Sequence, residues 1–493
     1  MTVKNDNSYN QILKSTSVYG GVQVFNIFTS ILSSKAVAIL LGPAGMGMAN
    51  LLTSTTTLIS GITNFGLGTS AVKNVAAASG TGDIEKLSKT VAVFRRLVWL
   101  TGGLGFVITL VFAPWLSEMA FGNKDYSIDF MLISVILLFA QINSGQNVIL
   151  QGMRKVKLLA KANILGSIGG LLISIPLYYF WAQKGIVPAI ILSSISTLLL
   201  SWYFANKINI PKAAVDKTII KTEGKEMLKM GFLISLAGLM TIGSSYIVRI
   251  FISHRGGLVD VGLFGAGFAI IGKYTGLIFT AMGKDYYPRL SIAAHDNIKC
   301  KQEVNQQAEI ALLIIAPMLI AFLVYIHWAV VLLYSKRFSG VVDMIHWATL
   351  GIFFQALSWS LGYVLLAKSA SKMFFWNELI AISYLLVLNI IGYYYFGLTG
   401  LGISFLLGYL FHFIQMYVVC EKLYGFSIDK TTMKVFVIQF SIAVFCFISD
   451  YFFTKIWVYS VGTVLISVSG YYSWCELNKR IPIKQMISKR FKK

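Results

Sequence analysis

The sequence predicts an all-α polytopic membrane protein with about 14 transmembrane helices. Three observations predict it. Of 493 residues, 56% are hydrophobic and 13% charged, with a mean hydropathy of +0.71, whereas soluble domains run about 45–50% apolar and about 25% charged. Apolar runs long enough to cross about 30 Å of hydrocarbon as helices recur between short polar breaks. Those breaks alternate between rich and poor in Lys and Arg. A soluble chain of this length could not hide so much apolar surface in its cores, which excludes a soluble enzyme, a disordered chain and a collagen-like fibre.

The runs lie near 15–40, 47–71, 97–117, 128–150, 159–181, 186–205, 230–252, 260–283, 308–333, 344–366, 374–396, 400–420, 435–453 and 456–475. The last two are short and joined by a tight break at Tyr451–Lys455. Met1–Lys14 is polar and lacks a signal-peptide pattern, so the first span is expected in the mature protein. With the N-terminus placed inside, 33 of the 42 Lys and Arg residues fall in inner segments, 6 in outer ones and 3 within spans. That split predicts an even number of spans with both termini cytoplasmic. It also accounts for most of the net charge of +22 without a nucleic-acid partner. The C-terminal run KRIPIKQMISKRFKK reads as a positive-inside anchor, with anionic lipid headgroups as its alternative contact.

Several chemistries have no residues to carry them. Cys300, Cys420, Cys446 and Cys475 form no CxxC pair and no metal spacing. There is no P-loop, GxSxG or HExxH pattern, and no paired carboxylates sit in an extramembrane domain. The expectation is a non-enzyme without cofactor or metal.

The longest inner break, roughly 206–229, holds Pro211 and six lysines and divides the chain into comparable halves. A shift of 215 places Lys14 on Lys229, Gly42 on Gly257 and Gly47 on Gly262, with Lys35 one residue from Arg249. Weak internal symmetry of this kind marks transporters built from repeated bundles with a substrate site between them. The expected organisation is an N-terminal lobe of helices 1–6 (1–210), a cytoplasmic linker (211–229), a C-terminal lobe of helices 7–12 (230–425), and helices 13–14 with the basic tail (426–493).

The bases within spans carry the most information. Insertion of such a group costs about 2.5–3.5 kcal/mol, so it usually faces a cavity and serves a function. At helical spacing Arg249 shares a face with Gly231, Ser235, Gly238, Thr241 and Ser245, with Ile242 as the bulky exception. Small and polar residues suit the wall of a wet cavity; close helix packing, with Arg249 snorkelling to the interface, is the competing reading. Lys273 sits mid-span among Gly262, Ala266, Ala269, Gly276 and Thr280. Lys35 has a less polar face (Ser17, Gly21, Val24, Phe28, Ile31), and Asn26 points the opposite way on a straight helix. Amides within spans, among them Asn26, Asn50 and Asn143, suit sugar hydroxyls, although helix–helix hydrogen bonding explains most of them equally well. Glu378 and Glu309 read as solvated carboxylates near inner helix ends, and His327, His346 and His412 as structural or interfacial.

The stretch Ser34-Lys-Ala-Val-Ala-Ile-Leu-Leu-Gly-Pro-Ala-Gly-Met-Gly-Met-Ala49 resembles the first-helix signature of Wzx-type oligosaccharide flippases, the O-antigen and lipid III group. Gly66-Leu-Gly68, Leu150-Gln-Gly-Met-Arg-Lys-Val156 and Tyr286-Tyr-Pro-Arg-Leu-Ser291 are similar to patterns across the wider multidrug/oligosaccharidyl-lipid/polysaccharide exporter superfamily. The resemblance covers about residues 10–425. It implies two six-helix lobes in a V around a central cavity, plus two extra C-terminal helices. It also implies alternating access and an undecaprenyl-pyrophosphate-linked oligosaccharide as substrate, carried by a monomer in contact with membrane lipid and with polysaccharide polymerase and assembly proteins. On this reading Arg249, Lys35 and Lys273 attract the pyrophosphate, and Asn26, Asn50 and Asn143 contact sugars. The main alternative is a cation-coupled multidrug exporter on the same fold, whose cavity should be acidic. A polymerase or ligase would need a substantial outer domain, and the longest outer break here has only about 10–15 residues.

Overall fold

In lipid, a single apolar segment satisfies its backbone N–H and C=O groups only by coiling into a helix. The computed structural model describes residues 3–211 and 213–480, without the side chains of 3–20, 24, 217, 219, 220, 233, 234, 237, 273 and 274. Every regular element among the described residues is helical. Nine segments there are long and apolar enough to cross a membrane. Three of them, Val156–Asn206, Gly238–Ala293 and Ser371–Tyr424, have 51, 56 and 54 residues and are each long enough for two of the expected spans. The protein is therefore a multi-pass membrane protein.

The chain divides into two compact units, Met1–Gly262 and Leu263–Lys493. The first contains α1 (Val3–Leu40), α2 (Gly42–Thr63), α3 (Leu67–Gly80), α4 (Ile84–Val111), α5 (Ala113–Phe121), α6 (Ser127–Gly152), α7 (Val156–Trp181) and α8 (Ile186–Asn206). It also holds the first arm of α9 (Lys217–Ala293), which bends at Gly257 with a φ of 74°. The second unit holds the other arm of α9, then α10 (Asn297–Leu333), α11 (Val342–Ala367), α12 (Ser371–Tyr424), α13 (Lys430–Phe452) and α14 (Lys455–Arg480). α12 bends at Gly397, where φ is 59°.

Local chemistry sets the boundaries. Asp83 caps α4 by accepting from the Glu85 and Lys86 amides at 2.9 and 3.0 Å, and Asp296 caps α10 in the same way. Three expectations are corrected. The second span does not run unbroken from 47 to 71: Phe65 and Gly66 take left-handed φ values of 48° and 64°, and Asn64 Oδ1 accepts from the Gly66 amide at 2.7 Å. A Cβ at Gly66 would strike the Gly231 carbonyl, so the break lets two backbones meet. Nor does the third span run unbroken from 97 to 117: α4 ends at Val111 and α5 begins at Ala113, with Pro114 in its first turn. Within the segment expected as a linker (211–229), a helix begins at Lys217, and Met227 and Val215 join a core with α3, α4 and α6. Arg96 Nη1 donates to the Val215 carbonyl at 3.0 Å.

In the second unit, α13 and α14 are fixed to α10. Gln439 exchanges hydrogen bonds with Ser473 Oγ (2.9 Å) and Ser469 Oγ (2.6 Å), and Tyr325 meets Thr463 Oγ1 at 2.7 Å. Asn305 on α10 donates to the Ser427 carbonyl and accepts from the Asp429 amide ahead of α13. Glu309, read from sequence as a solvated carboxylate, is only 6% exposed and pairs with Arg480 at the end of α14. His346 is buried, with Nε2 3.1 Å from the Leu323 carbonyl oxygen.

Candidate functional site

The site grows from an antiparallel seam between α2 and the first arm of α9, both in the first unit. Glycine sets its two ends. At one end a Cβ on Gly47 would lie 2.8 Å from the Leu258 carbonyl carbon and 3.1 Å from the Gly262 nitrogen. A Cβ on Gly262 would lie 2.8 Å from the Pro43 carbonyl carbon and 3.0 Å from the Gly47 nitrogen. Each of these contacts maps onto the other under the 215-residue shift, and Gly42 and Gly257, related by that shift, both take positive φ values of 68° and 74°. At the other end Gly66 and Gly231 touch backbone to backbone. Midway, Thr55 Oγ1 and the Tyr246 hydroxyl are 2.8 Å apart and buried.

The two flanks of this seam differ in chemistry. One is a cavity of about 370 Å³ lined by Asn50, Thr53, Ser54 and Thr57 from α2 and by Thr241, Ile242, Ser245 and Arg249 from α9. Arg249 Nη1 donates to Ser245 Oγ at 2.5 Å and to the Ser245 carbonyl at 3.3 Å. The α2 hydroxyls turn their protons back into the helix: Thr53 to the Ala49 carbonyl (2.7 Å), Thr57 to the Thr53 carbonyl (2.6 Å) and Ser54 to the Leu51 carbonyl (3.1 Å). Their lone pairs stay available as acceptors. The other flank is a mainly apolar groove of about 460 Å³, lined by Leu58, Ile62, Ile247, Ile250, Phe112 and Trp115, with Thr55, Thr63 and Tyr246 also at its wall. The same two helices thus present a cationic, hydroxyl-rich surface on one side and a hydrocarbon surface on the other.

Of the residues expected from sequence, Arg249 and Asn50 come together in this cavity. Ile242, the exception on the Arg249 face, lines it too. Lys35 and Asn26 lie on α1 outside that lining; Asn26 Oδ1 is buried with no hydrogen-bond partner among the described residues. Asn143 lies on α6, also outside it, and its Oδ1 is likewise buried and unpartnered among the described residues. The Lys273 side chain is outside the described residues. Thr53, Ser54 and Thr57 were not singled out by the sequence reading. Their signal was the unbroken hydroxyl run Thr53-Ser-Thr-Thr-Thr57, which also keeps α2 off the set of strongly apolar spans.

The lining holds a cation, an amide and hydroxyls, with no carboxylate and no nucleophile paired to a base. It suits binding of a polyol that carries an anion.

Solved structures share this architecture. A lipid II flippase MurJ in an inward closed conformation matches 95% of this chain and 99% of its own, with a TM-score of 0.73 and 12% identity. An inward-facing multidrug resistance MATE family transporter of the MOP superfamily matches 83% and 95%, with a TM-score of 0.67 and 15% identity. The chain therefore has the MOP-superfamily fold. In sequence, the lipid III flippases of Escherichia coli (strain K12) and Shigella flexneri are each 21% identical over 380 residues, 73% of this chain and 86% of theirs. Residues 36–343 match the family described as Polysaccharide biosynthesis protein, and the chain belongs to that family.

Proposed function

We propose that the protein is a flippase that moves an undecaprenyl-pyrophosphate-linked oligosaccharide, an O-antigen or related repeat unit, from the cytoplasmic to the outer leaflet of a bacterial inner membrane by alternating access. The observation that carries the reading is the placement of Arg249 in a cavity whose other lining, apart from Ile242, is hydroxyls and an amide, set against an apolar groove across the α2–α9 seam. A lipid-linked sugar has the same division: an anionic pyrophosphate, a polar head and a long hydrocarbon tail. Moving the head requires a wet, cationic path, whereas the tail can stay in lipid. The guanidinium holds phosphate oxygens by charge-assisted, bidentate hydrogen bonds, and the Asn50 amide and the Thr and Ser hydroxyls contact sugar hydroxyls. In this proposal residues 1–210 and 230–425 act as repeated lobes, Lys35 and Lys273 add positive charge along the path, and Asn26 and Asn143 serve the sugar elsewhere on it. The lipid III flippases at 21% identity support this substrate class.

The multidrug-exporter alternative requires a cavity that welcomes a cation. The lining has a base and no acid, which repels one.

The test is display of surface glycan in a flippase-null strain, with protein quantified in the same membranes. Arg249→Ala is expected to reduce export by roughly 10²-fold or more, because losing two charged hydrogen bonds costs about 3–6 kcal/mol at about 1.4 kcal/mol per tenfold. Arg249→Lys should keep part of the activity, since charge survives and the fork is lost. Lys35→Ala and Lys273→Ala should weaken export less. Normal display by Arg249→Ala at normal protein level removes the anion site at its best-supported residue.

A further inference from the structure

A second cavity lies in the first unit, away from the α2–α9 seam. It has a volume of about 140 Å³ and is lined by Arg95, Val98 and Trp99 from α4, Ile142, Gly145 and Gln146 from α6, and Trp202 and Asn206 from α8. These positions fall near the middle of α4 and toward the C-terminal ends of α6 and α8. That is where the bases Arg95, Arg96, Arg154, Lys155 and Lys207 gather. Gly145 lets α6 approach α4: a Cβ there would lie 3.0 Å from a Val98 methyl.

Two groups in this cavity lack the partners their chemistry demands. Arg95 is half-buried, makes no ion pair or hydrogen bond among the described residues, and its Nε is buried without an acceptor. Gln146 is 8% exposed, and its Oε1 is buried without a donor. An uncompensated guanidinium partly withdrawn from water is costly, and an anion removes that cost. Arg96 shows the contrast: one residue on, its guanidinium is exposed and already committed to the Val215 carbonyl. The mouth identifies the source of the anion. Trp99 is 54% exposed and Trp202 44%, and Leu100 and Leu199 beside them are more exposed still. Exposed tryptophans beside a basic cluster suit the belt where headgroups meet hydrocarbon. One water needs roughly 10–15 Å³ of such space, so the cavity has room for a phosphate group but not for an oligosaccharide.

We infer that this cavity binds the phosphate of a membrane phospholipid headgroup, with Arg95 as its anion-binding residue and Trp99 and Trp202 flanking the acyl chains. The leaflet, cytoplasmic, rests on the orientation proposed above; the site does not depend on transport. Pockets of this kind, basic and set between helices on the cytoplasmic side, suit anionic lipid. Gln146 Oε1 then accepts from a water that donates its other proton to the phosphate, and Asn206 closes the polar rim.

The experiment uses the purified full chain and phosphatidylglycerol, read by native mass spectrometry. Arg95→Gln should weaken retention of phosphatidylglycerol about tenfold or more, with Arg95→Lys between it and the native protein. Arg96→Gln removes the same charge one residue away and should leave retention within about twofold, as an exposed charge contributes little to binding at a neighbouring site. Equal losses in Arg95→Gln and Arg96→Gln overturn the proposal, because they indicate general surface attraction. Displacement of the lipid by excess inorganic phosphate also overturns it, since the site then reads a free anion. A second measurement needs no change at Arg95. Phosphatidylglycerol brominated on its acyl chains should quench tryptophan fluorescence more than brominated phosphatidylcholine, and the Trp99→Phe/Trp202→Phe protein should lose that difference. Equal quenching of the native protein by both lipids refutes the site. Glycan export is not part of either readout, so failure here leaves the flippase reading standing, and the converse holds.

Discussion

Replacing Gly47 or Gly262 by valine tests whether the α2–α9 seam belongs to the working cycle. A Cβ at either position falls 2.8 Å from a carbonyl carbon, at Leu258 in one case and Pro43 in the other. Carbon atoms settle at about 3.5–4.0 Å, so the two backbones must part by about 1 Å before the Val methyl groups are counted. The blocking atoms are backbone, which has no rotamer to escape into. Overpacking of this kind costs about 1–3 kcal/mol, which lowers the population of the closed seam roughly 5- to 150-fold. Because the two contacts are related by the 215-residue shift and nearly identical in length, Gly47→Val and Gly262→Val should fail to a similar degree. Gly362→Ala, at a position with nothing within 4 Å, is the control. The assay is glycan display with protein level measured in the same membranes. Both valine variants should accumulate yet export poorly, and the control should export normally. Normal export by both valine variants would show that the closed seam is not a state the transporter must visit.

Two further expectations concern the rest of the chain. Reporter fusions or cysteine labelling should place residue 215 inside and residues 122 and 338 outside, because 33 of 42 bases lie on the inner breaks; an outer signal at 215 would overturn the orientation. Glu309→Leu should lower the stability of the detergent-purified protein by about 1–3 kcal/mol, since among the described residues it leaves the Arg480 guanidinium with Glu476 as its acid partner, and Glu309→Leu with Arg480→Leu should recover most of that loss.

Much of the fold was legible in sequence because length and hydropathy dictate where helices must form in lipid. The 14 expected spans all fall on helices, the second of them crossing from α2 into α3 and the third from α4 into α5. The breaks were less legible. Asn64–Gly66 carries a turn because a backbone from far along the chain, at Gly231, passes against it, and no local pattern announces that neighbour. Conversely, α9 starts earlier than the linker suggested because Val215 and Met227 find apolar partners on α3 and α4. At the site, Arg249 was legible from the small and polar residues at its helical spacing, and Asn50 only as one amide among many. Gln141 shows why: its amide donates to Thr101 Oγ1 at 3.0 Å, joining two helices, and nothing in sequence separates it from Asn50. Glu309 was misread for a related reason, since its partner Arg480 lies 171 positions away at the far end of the chain.

The composition of α2 follows from what its two flanks must do. It carries no charge, yet five consecutive Thr and Ser residues make it too polar to count among the strongly apolar spans. A helix that only crossed lipid would not need them. On one side Thr53, Ser54 and Thr57 face the cavity of Arg249, on the other Leu58 and Ile62 face the apolar groove, and Thr55 between them meets Tyr246. The hydroxyls bond their own helix, so their protons are satisfied whether or not the cavity is occupied. That leaves a surface which can lose and regain a polar ligand without leaving a donor stranded. A path for a sugar has this requirement, because the head must be released as readily as it is taken up. On the flippase reading proposed above, the guanidinium is the strong group in this cavity, and Ser245 Oγ already accepts from its Nη1 at 2.5 Å. An arginine already bonded to its own helix gives up part of that bond when it binds an anion. On that reading the site would hold its anion less tightly than an unengaged guanidinium, which favours release over storage.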